Sequence, residues 1–387
     1  MRVLFSSTWG YGHVLPMVPL ARAFVAAGHT VYWAASGNAG EVVTAAGIDA
    51  VPAGLDGPGA DDARRRLRAA LATVPPQEKA AFAFPTMFGE WATPPMVRDL
   101  LPLARELQAD LLVHEQAEHA APLVGALLGV PSVTHAFGGA VPPGFLVETG
   151  ERLGWLWSEH GLTTPPYAGA FTGTYLDICP PAVQTVPVEH IPTRQPLRPV
   201  SYTGEPAPLP AGVGDDDPRP VVYLTLGTVY NGTSALQAAI EGLADLGARV
   251  LVTVGPDGDP TALGPVPDHV TVARWVNQAD VLPHCAAVVS HGGSGTFLGA
   301  LGLGLPQLCL PQAADQFRNA AAAVSTGAGL ALAPDAATPE AVRESVRRIL
   351  LEDGFRGAAA GLADTIRAMP DPAEVVTVLE RLVLDRR

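Results

Sequence analysis

The sequence contains almost no lysine: of its 24 basic residues, only Lys79 is a lysine. Acidic residues number 38, so the formal net charge is −14, and charged residues make up only 16% of the chain. This balance argues against nucleic acid or an anionic membrane surface as the main partner, since both attract clustered basic residues. It does not exclude an anionic small molecule, which a few local donors can hold.

Cysteine and long apolar runs are also scarce. The three cysteines, Cys179, Cys285 and Cys309, share no metal-ligand spacing, so we expect reduced thiols in the core. No stretch approaches the ~18 apolar residues of a membrane-spanning helix. The apolar run after Met1 is too short for a signal peptide. We therefore expect a cytoplasmic protein without a membrane span.

Apolar residues as a class are abundant, at 48% of 387 residues. This length exceeds the ~150 residues of a typical domain more than twofold, which predicts two domains. Strand-like apolar runs alternate with helical periodicity from residue 3 onward and again from residue 220. Such alternation predicts an α/β fold with two Rossmann-like, doubly wound parallel sheets. We expect domains over 1–200 and 220–370, joined by a Pro-, Gly- and Asp-rich linker over 201–219.

Aromatic residues cluster where the alternation weakens, over 55–100 and 140–175. Irregular aromatic insertions in an α/β domain can line a pocket for an apolar ligand or simply pack the core, and the sequence leaves both open. The candidate pocket residues are Phe82, Phe84, Phe88, Trp91 and Trp155.

The motif SHGGSGT at 290–296 follows a buried strand and opens a helix. Its glycines let backbone N–H groups approach an anion at the positive end of a helix dipole. It lacks the Gly-Lys-Ser/Thr ending of an ATP-binding P-loop and the spacing of a dinucleotide fingerprint. The alternative is a tight strand–helix turn without a ligand.

Trp275 and Gln278 precede this turn, and Asp315 and Gln316 follow it. An indole can stack on a nucleobase, and a carboxylate beside an amide can hold sugar hydroxyls. This order of residues closely resembles the nucleotide-sugar signature of inverting family 1 glycosyltransferases. The resemblance spans essentially the whole chain and is closest to bacterial enzymes that glycosylate polyketides, enediynes and glycopeptides. It implies the GT-B architecture, two domains facing a cleft, with residues 371–387 crossing back to the first domain.

The resemblance also implies roles for individual residues. Trp275 would stack on the base, Asp315 and Gln316 would hold the sugar, and residues 291–296 would hold the diphosphate. The implied donor-binding set is Thr228, Trp275, Val276, Gln278, His291, Gly293, Ser294, Gly295, Thr296, Asp315 and Gln316. The chain departs from the plant signature at Asn277, where the family has proline, and at Gly299, where it has a ribose-binding glutamate. The second departure favours a deoxythymidine diphosphate (dTDP) sugar as donor.

His13 follows a glycine turn after the first strand, where α/β sheets place ligands. Imidazole suits a general base near neutral pH, and the matching position is the family's catalytic histidine. The family pairs that histidine with an acid after a later strand, and here Glu115 stands in the pattern DLLVHE. His114 and His119 lie close enough in sequence to confuse this assignment.

We expect no metal and no bound cofactor. Asp215–Asp217 superficially matches an Asp-x-Asp metal motif, but it lies in the predicted linker, where solvated charge is the favoured explanation. The expected function is transfer of a (deoxy)hexose from a dTDP-sugar to a hydroxyl, or an aromatic carbon, of an apolar aglycone. A sugar-nucleotide epimerase and a non-catalytic binding protein of the same fold are the alternatives. The expected partners are small molecules, and the chain is expected to be a monomer or a homodimer.

Overall fold

The structure is a computed structural model that describes residues 1–37, 39–202, 204–227, 234–256 and 258–385. The chain divides into two compact units. The first contains Met1–Ile178, Val186–Arg198 and Pro370–Arg387, and the second contains Cys179–Thr185 and Pro199–Met369. The C-terminal segment therefore belongs to the first unit, and the segment 201–219 belongs to the second.

The first unit is built on a seven-stranded parallel sheet. Its strands are β1 (Arg2–Ser7), β2 (Thr30–Ala35), β3 (Asp49–Pro52), β4 (Leu111–Glu115), β5 (Ser132–His135), β6 (Tyr175–Asp177) and β7 (Arg194–Pro196). They lie in the order β3-β2-β1-β4-β5-β6-β7. Every residue of β4 is buried, as expected for a parallel strand covered on both faces.

Eight helices of the first unit precede β6. They are α1 (Tyr11–Val14), α2 (Val18–Ala26), α3 (Ala39–Ala45), α4 (Gly57–Leu71), α5 (Lys79–Phe84), α6 (Thr93–Glu106), α7 (Ala120–Leu128) and α8 (Pro143–Glu159). The expectation of irregular insertions over 55–100 and 140–175 is wrong, because α4 to α6 and α8 occupy most of these ranges. Between α5 and α6, Pro85–Ala92 forms a π-helix, whose i→i+5 bonding changes the spacing of its aromatic residues.

The C-terminal helix, Pro372–Leu384, packs against α2 within the first unit. Asp371 and Glu374 form a capping box at its start. The imidazole of His29 lies 2.8 Å from the carboxylate of Glu380. These contacts tie the end of the chain to the unit that contains its beginning.

The second unit contains a six-stranded parallel sheet in the order β10-β9-β8-β11-β12-β13. Its strands are β8 (Val221–Thr225), β9 (Arg249–Thr253), β10 (Val270–Ala273), β11 (Ala287–Ser290), β12 (Gln307–Cys309) and β13 (Gly329–Ala331). Its helices are α9 (Ser234–Leu243), α10 (Gln278–Val281), α11 (Ser294–Gly302), α12 (Gln316–Ser325), α13 (Pro339–Leu351) and α14 (Asp353–Arg367). Within the described ranges, no helix is both long and apolar enough to cross a bilayer.

The segment predicted to be a linker is bound to the second unit. Arg249, buried at the start of β9, donates to the carbonyl of Gly212 at 2.9 Å and forms an ion pair with Asp215. Asp217 accepts from Arg219, whose guanidinium lowers the pKa of that carboxyl. The charges of Asp215 and Asp217 are therefore paired with arginine, while Asp215 stays 50% exposed, so solvated charge still describes this segment.

The strand order changes direction once in each sheet. The chain runs outward from β1 to β3 and then returns to β4 on the other side of β1. The same reversal separates β8 from β11 in the second unit. Ligands of doubly wound sheets bind outside the carboxyl ends of the strands at such a reversal. The candidate ligand-binding residues are therefore those that follow β1, β4, β8 and β11.

Candidate active site

His13 lies in α1, the short helix that follows β1. Gly10 precedes this helix with a φ of 106°, a conformation that favours glycine. Val14 is buried and anchors the turn, while the His13 side chain stays 21% exposed. The glycine turn therefore presents the imidazole at the carboxyl edge of the first sheet.

Glu115 ends β4, the strand paired with β1, and lies beside His13. Its Oε1 lies 3.1 Å from Nδ1 of His13 and accepts a hydrogen bond of 2.7 Å from the Thr8 hydroxyl. The Thr8 hydroxyl is also 3.2 Å from Nδ1 of His13, and the N–H of Ala117 donates to Oε2 of Glu115. The structure thus brings together the two residues predicted as catalytic, and it adds Thr8, which the sequence did not single out.

The pKa of Glu115 is lowered from 4.5 to about 2. Burial opposes this shift, but the charge and hydrogen bond of His13 and the donors Thr8 and Ala117 outweigh it. Glu115 is therefore ionised at neutral pH. The hydrogen bonds of His13 to described residues use Nδ1, which leaves Nε2 to accept a proton from a ligand.

Aromatic rings surround the imidazole of His13. The ring of Phe137 is 4.7 Å from it and that of Phe88 is 5.2 Å away, centroid to centroid. Phe84 packs on Phe88 at 5.2 Å and on Phe145 at 5.9 Å. Phe84 and Phe88 were predicted as pocket residues, whereas Phe137 and Phe145 were missed. These four phenylalanines form the aromatic wall, which gives the histidine an apolar surrounding.

The other three predicted pocket aromatics have different environments. Phe82 lies 5.8 Å from the guanidinium of Arg152, and Trp91 lies 4.4 Å from that of Arg66. Trp155 is 55% exposed on α8. Among the ring contacts of the described residues, none joins Phe82, Trp91 or Trp155 to His13 or to the aromatic wall, so the structure does not bring the five together.

Three buried imidazoles adjoin Glu115. Burial lowers the pKa of His114, His119 and His135 from 6.5 to about 4 in each case, so all three are neutral at neutral pH. His114 is hydrogen-bonded to the carbonyl of Glu118 at 2.7 Å and to the Thr134 hydroxyl at 3.0 Å. Because they are uncharged, these histidines do not compete with His13 for the charge of Glu115.

In the second unit, the turn after β11 packs around His291. An added Cβ at Gly293 would collide with the His291 ring, and one at Gly227 would lie 2.6 Å from it. Burial lowers the pKa of His291 to about 4, and its Nδ1 bonds no described residue. Glycine is therefore required at both positions to leave room for a neutral imidazole beside the N-terminus of α11.

Asp315 is held at the start of α12. Its carboxylate accepts a 2.6 Å hydrogen bond from the hydroxyl of Ser294, and the amide of Asn319 donates to both groups and to the carbonyl of Gly292. Oε1 of Gln316, by contrast, accepts from two backbone N–H groups of its own loop, at 312 and 313. Asn319 was missed, although its spacing of four from Asp315 puts both on one helix face.

The remaining predicted donor residues that the structure describes lie near the start of α10 and α11. Trp275 is 37% exposed, whereas Val276 is buried in a core cluster. Nε2 of Gln278 lies 3.2 Å from the Thr296 hydroxyl. Gly295 is exposed in the first turn of α11, and Thr228 falls outside the described residues. Trp275, Gln278 and the first turn of α11 thus provide a ring face, an amide and backbone donors, the groups that bind a nucleotide.

Gly299 leaves little space for a side chain unless the Ser201 hydroxyl rotates away. A Cβ built on it would lie 2.5 Å from the hydroxyl oxygen of Ser201. Ser201 therefore occupies the space into which a longer side chain at residue 299, such as the glutamate of the plant signature, would extend.

Comparison with known proteins places the chain in a family. Residues 22–255 match the N-terminal domain, and residues 237–382 the C-terminal domain, of the family described as Erythromycin biosynthesis protein CIII-like. The 3-alpha-mycarosylerythronolide B desosaminyl transferase of Saccharopolyspora erythraea is 30% identical, over 100% of this chain and 99% of that protein. The L-demethylnoviosyl transferase of Streptomyces niveus is 34% identical over the same shares.

The crystal structure of the glycosyltransferase VinC, described as a complex with dTDP, superposes with a TM-score of 0.81. It is 28% identical, and all of each chain is covered. The two parallel-sheet units and these full-length matches agree. The chain belongs to the Erythromycin biosynthesis protein CIII-like family and is a family 1 natural-product glycosyltransferase with the GT-B fold.

Proposed function

We propose that this glycosyltransferase is inverting and moves a deoxyhexose from a dTDP-sugar to a hydroxyl of an apolar aglycone. The observation that carries the proposal is the contact between Nδ1 of His13 and the ionised Glu115, set beside the aromatic wall. The first unit then binds the acceptor and the second binds the donor. The dTDP in the description of the VinC structure supports the choice of nucleotide.

His13 is the proposed general base. Its Nε2 takes the proton of the acceptor hydroxyl while that oxygen attacks the anomeric carbon of the sugar. The new carbon–oxygen bond forms on the face of the anomeric carbon opposite the phosphate oxygen. The bond between the anomeric carbon and that phosphate oxygen breaks, and dTDP leaves with its electron pair. Glu115 holds the imidazole in one tautomer and stabilises the imidazolium that forms. One displacement of this kind inverts the anomeric configuration.

The second unit supplies the proposed donor site. Backbone N–H groups at the start of α11 and the imidazole of His291 meet the charge that develops on the leaving diphosphate. Trp275 stacks on the base, and Asp315 accepts hydrogen bonds from sugar hydroxyls. Gln316 contributes by holding the loop beside Asp315, since its Oε1 is bonded to that loop. This donor set needs no metal ion.

The preference for dTDP follows from Gly299. No carboxylate is available there for a ribose 2′-hydroxyl, and a polar group that loses hydration without a partner costs about 1–3 kcal/mol. We expect dTDP to bind roughly tenfold or more tightly than UDP. Titration with dTDP, dUDP, UDP and 5-methyl-UDP separates the sugar from the thymine methyl group, and equal or tighter binding of UDP would refute the donor assignment.

Replacement of His13 tests the proposed mechanism. His13→Ala should lower the transfer rate roughly 10²–10⁴-fold, the usual contribution of a general base. Its affinity for dTDP, measured by calorimetry, should stay within twofold, since the base acts on the acceptor. His160→Ala, at the end of α8, is the matched control and should keep full activity. Transfer by His13→Ala within tenfold of wild type would exclude His13 as the base.

A further inference from the structure

Tyr223 is a fully buried residue of the second unit with no role in the proposal above. It lies in β8, at the centre of the sheet, and is 1% exposed. Its ring belongs to a core cluster with Val276 and Val281. A phenylalanine would fill the same space, so packing of the ring does not account for the buried hydroxyl group.

The hydroxyl of Tyr223 connects β9 to the start of α10. It lies 3.0 Å from the hydroxyl of Thr253 and accepts a hydrogen bond of 3.3 Å from Nε2 of Gln278. Gln278 in turn exchanges hydrogen bonds with the Thr296 hydroxyl, at 3.2 Å through Nε2 and 3.3 Å through Oε1. One buried oxygen thus links the core to two residues placed in the donor site.

Thr225, two residues after Tyr223 on β8, faces the same side of the sheet and supports the turn that follows. Its Oγ1 accepts a hydrogen bond from the N–H of Gly227 at 3.2 Å. Gly227 is the residue whose missing side chain makes room for His291. The strand that holds the phenol therefore also holds the support of the glycine turn.

The bond to Gln278 fixes which end of its amide points where. The phenol oxygen accepts from Nε2 of Gln278 at 3.3 Å, and when its proton is donated to the Thr253 hydroxyl it can only accept, so the NH₂ end of the amide faces it. A nucleobase offers donors and acceptors at fixed positions, so an amide that can rotate end for end recognises it less well. The half-buried amide of Gln278 also bonds the Thr296 hydroxyl, but a hydroxyl can donate or accept and so does not by itself distinguish the two ends of an amide.

We propose that Tyr223 is a positioning residue for nucleotide recognition, acting through the amide of Gln278. The inference rests on the proposed function, because it requires Gln278 to lie in the donor site. It adds a residue in the core, remote in sequence from the glycine motif, whose single oxygen sets the affinity for the nucleotide.

Tyr223→Phe tests this inference with dTDP as the probe. The variant removes one oxygen and should weaken dTDP binding roughly fivefold to tenfold in calorimetry, the loss expected for one hydrogen bond. Tyr175→Phe is the matched control, since Tyr175 is also buried on a parallel strand that is paired on both sides, and its hydroxyl donates to Gln116 at 2.9 Å. It should lose similar thermal stability and keep wild-type affinity for dTDP.

A double-mutant cycle separates positioning from a general loss of packing. On a Gln278→Leu background, Tyr223→Phe should change dTDP affinity less than twofold, because its target is gone. An undiminished loss on that background, or unchanged affinity in Tyr223→Phe alone, would overturn the inference. If wild type itself binds no dTDP, the proposed donor is wrong and this inference fails with it; binding in wild type with no effect of Tyr223→Phe refutes the inference alone.

Discussion

Both ring nitrogens of His119 are buried, and neither has a hydrogen-bond partner among the described residues. The ring meets the edge of Phe84, a residue of the aromatic wall, at 6.0 Å. A buried polar group left unpaired costs about 1–3 kcal/mol. His114, four residues from Glu118 and equally buried, is fully bonded by contrast.

We predict that His119→Leu raises the melting temperature by roughly 2–4 °C, the shift expected for about 1 kcal/mol in a unit of this size. His114→Leu should lower the melting temperature, because it leaves the Glu118 carbonyl without its imidazole donor and removes one of the two hydrogen bonds of the Thr134 hydroxyl. Thermal denaturation followed by circular dichroism compares the two. A lower melting temperature for His119→Leu would show that its imidazole is paired in solution.

The same histidines predict a pH dependence of stability. Their pKa is about 4 in the folded state and 6.5 in the unfolded reference, so the unfolded chain binds more protons between these values. The three histidines therefore make their full contribution to the free energy of unfolding above pH 6.5, and this contribution is lost as the pH falls to 4. Burial raises the pKa of Glu118 to about 7, so this carboxyl group has the opposite effect between pH 4.5 and 7. It is one group against three histidines.

Denaturant unfolding at a series of pH values measures this dependence. We expect the free energy of unfolding to decrease from pH 6.5 towards pH 4. His119→Leu removes one of the three titrating histidines and should make this decrease shallower by the contribution of one group. A free energy that is flat or rises over this range in the wild type would contradict the assigned burial of these groups.

At the scale of elements, the glycine turn after β11 has room for the His291 ring because residue 293 lacks a side chain. Gly293→Ala should force the His291 ring to move and weaken dTDP binding roughly tenfold or more, although the φ of −63° at this residue suits alanine. Gly354→Ala in α14, where a Cβ meets nothing within 4 Å, is the matched control and should bind dTDP normally. Equal affinities of the two variants would mean that His291 has no part in nucleotide binding.

The elements show where sequence reasoning succeeds and where it fails. The turn at 290–296 is contiguous, and its glycines reveal it directly. The aromatic wall is not contiguous: Phe84, the last residue of α5, meets Phe145 because α5 packs against α8, and no local pattern signals that contact. The π-helix also departs from the 3.6-residue period by which helices are recognised. The bonds of Oε1 of Gln316 to its own loop were not predicted, because they depend on the fold of that loop. Sugar binding by Gln316 stays a prediction.

At the scale of the whole molecule, the α/β fold class and the GT-B architecture were predicted from the alternation of strands and helices and from the signature motifs, and both are confirmed. Five short strands were missed. β3, β7, β10 and β13 lie at sheet edges and β6 lies beside β7, and strands of three or four residues carry little periodicity. The pairing of Asp215 with Arg249 was missed for another reason, because it joins residues 34 positions apart in sequence.

The most direct test of the account is the anomeric configuration of the product. The purified chain, supplied with a dTDP-deoxyhexose and a panel of polyketide aglycones without added metal, should release dTDP only when an acceptor is present. The glycoside should carry the anomeric configuration opposite to that of the donor, read from its proton NMR coupling constants. Retention of the donor's configuration, or dTDP release that is independent of an acceptor and yields no glycoside, would contradict an inverting transfer with His13 as its base.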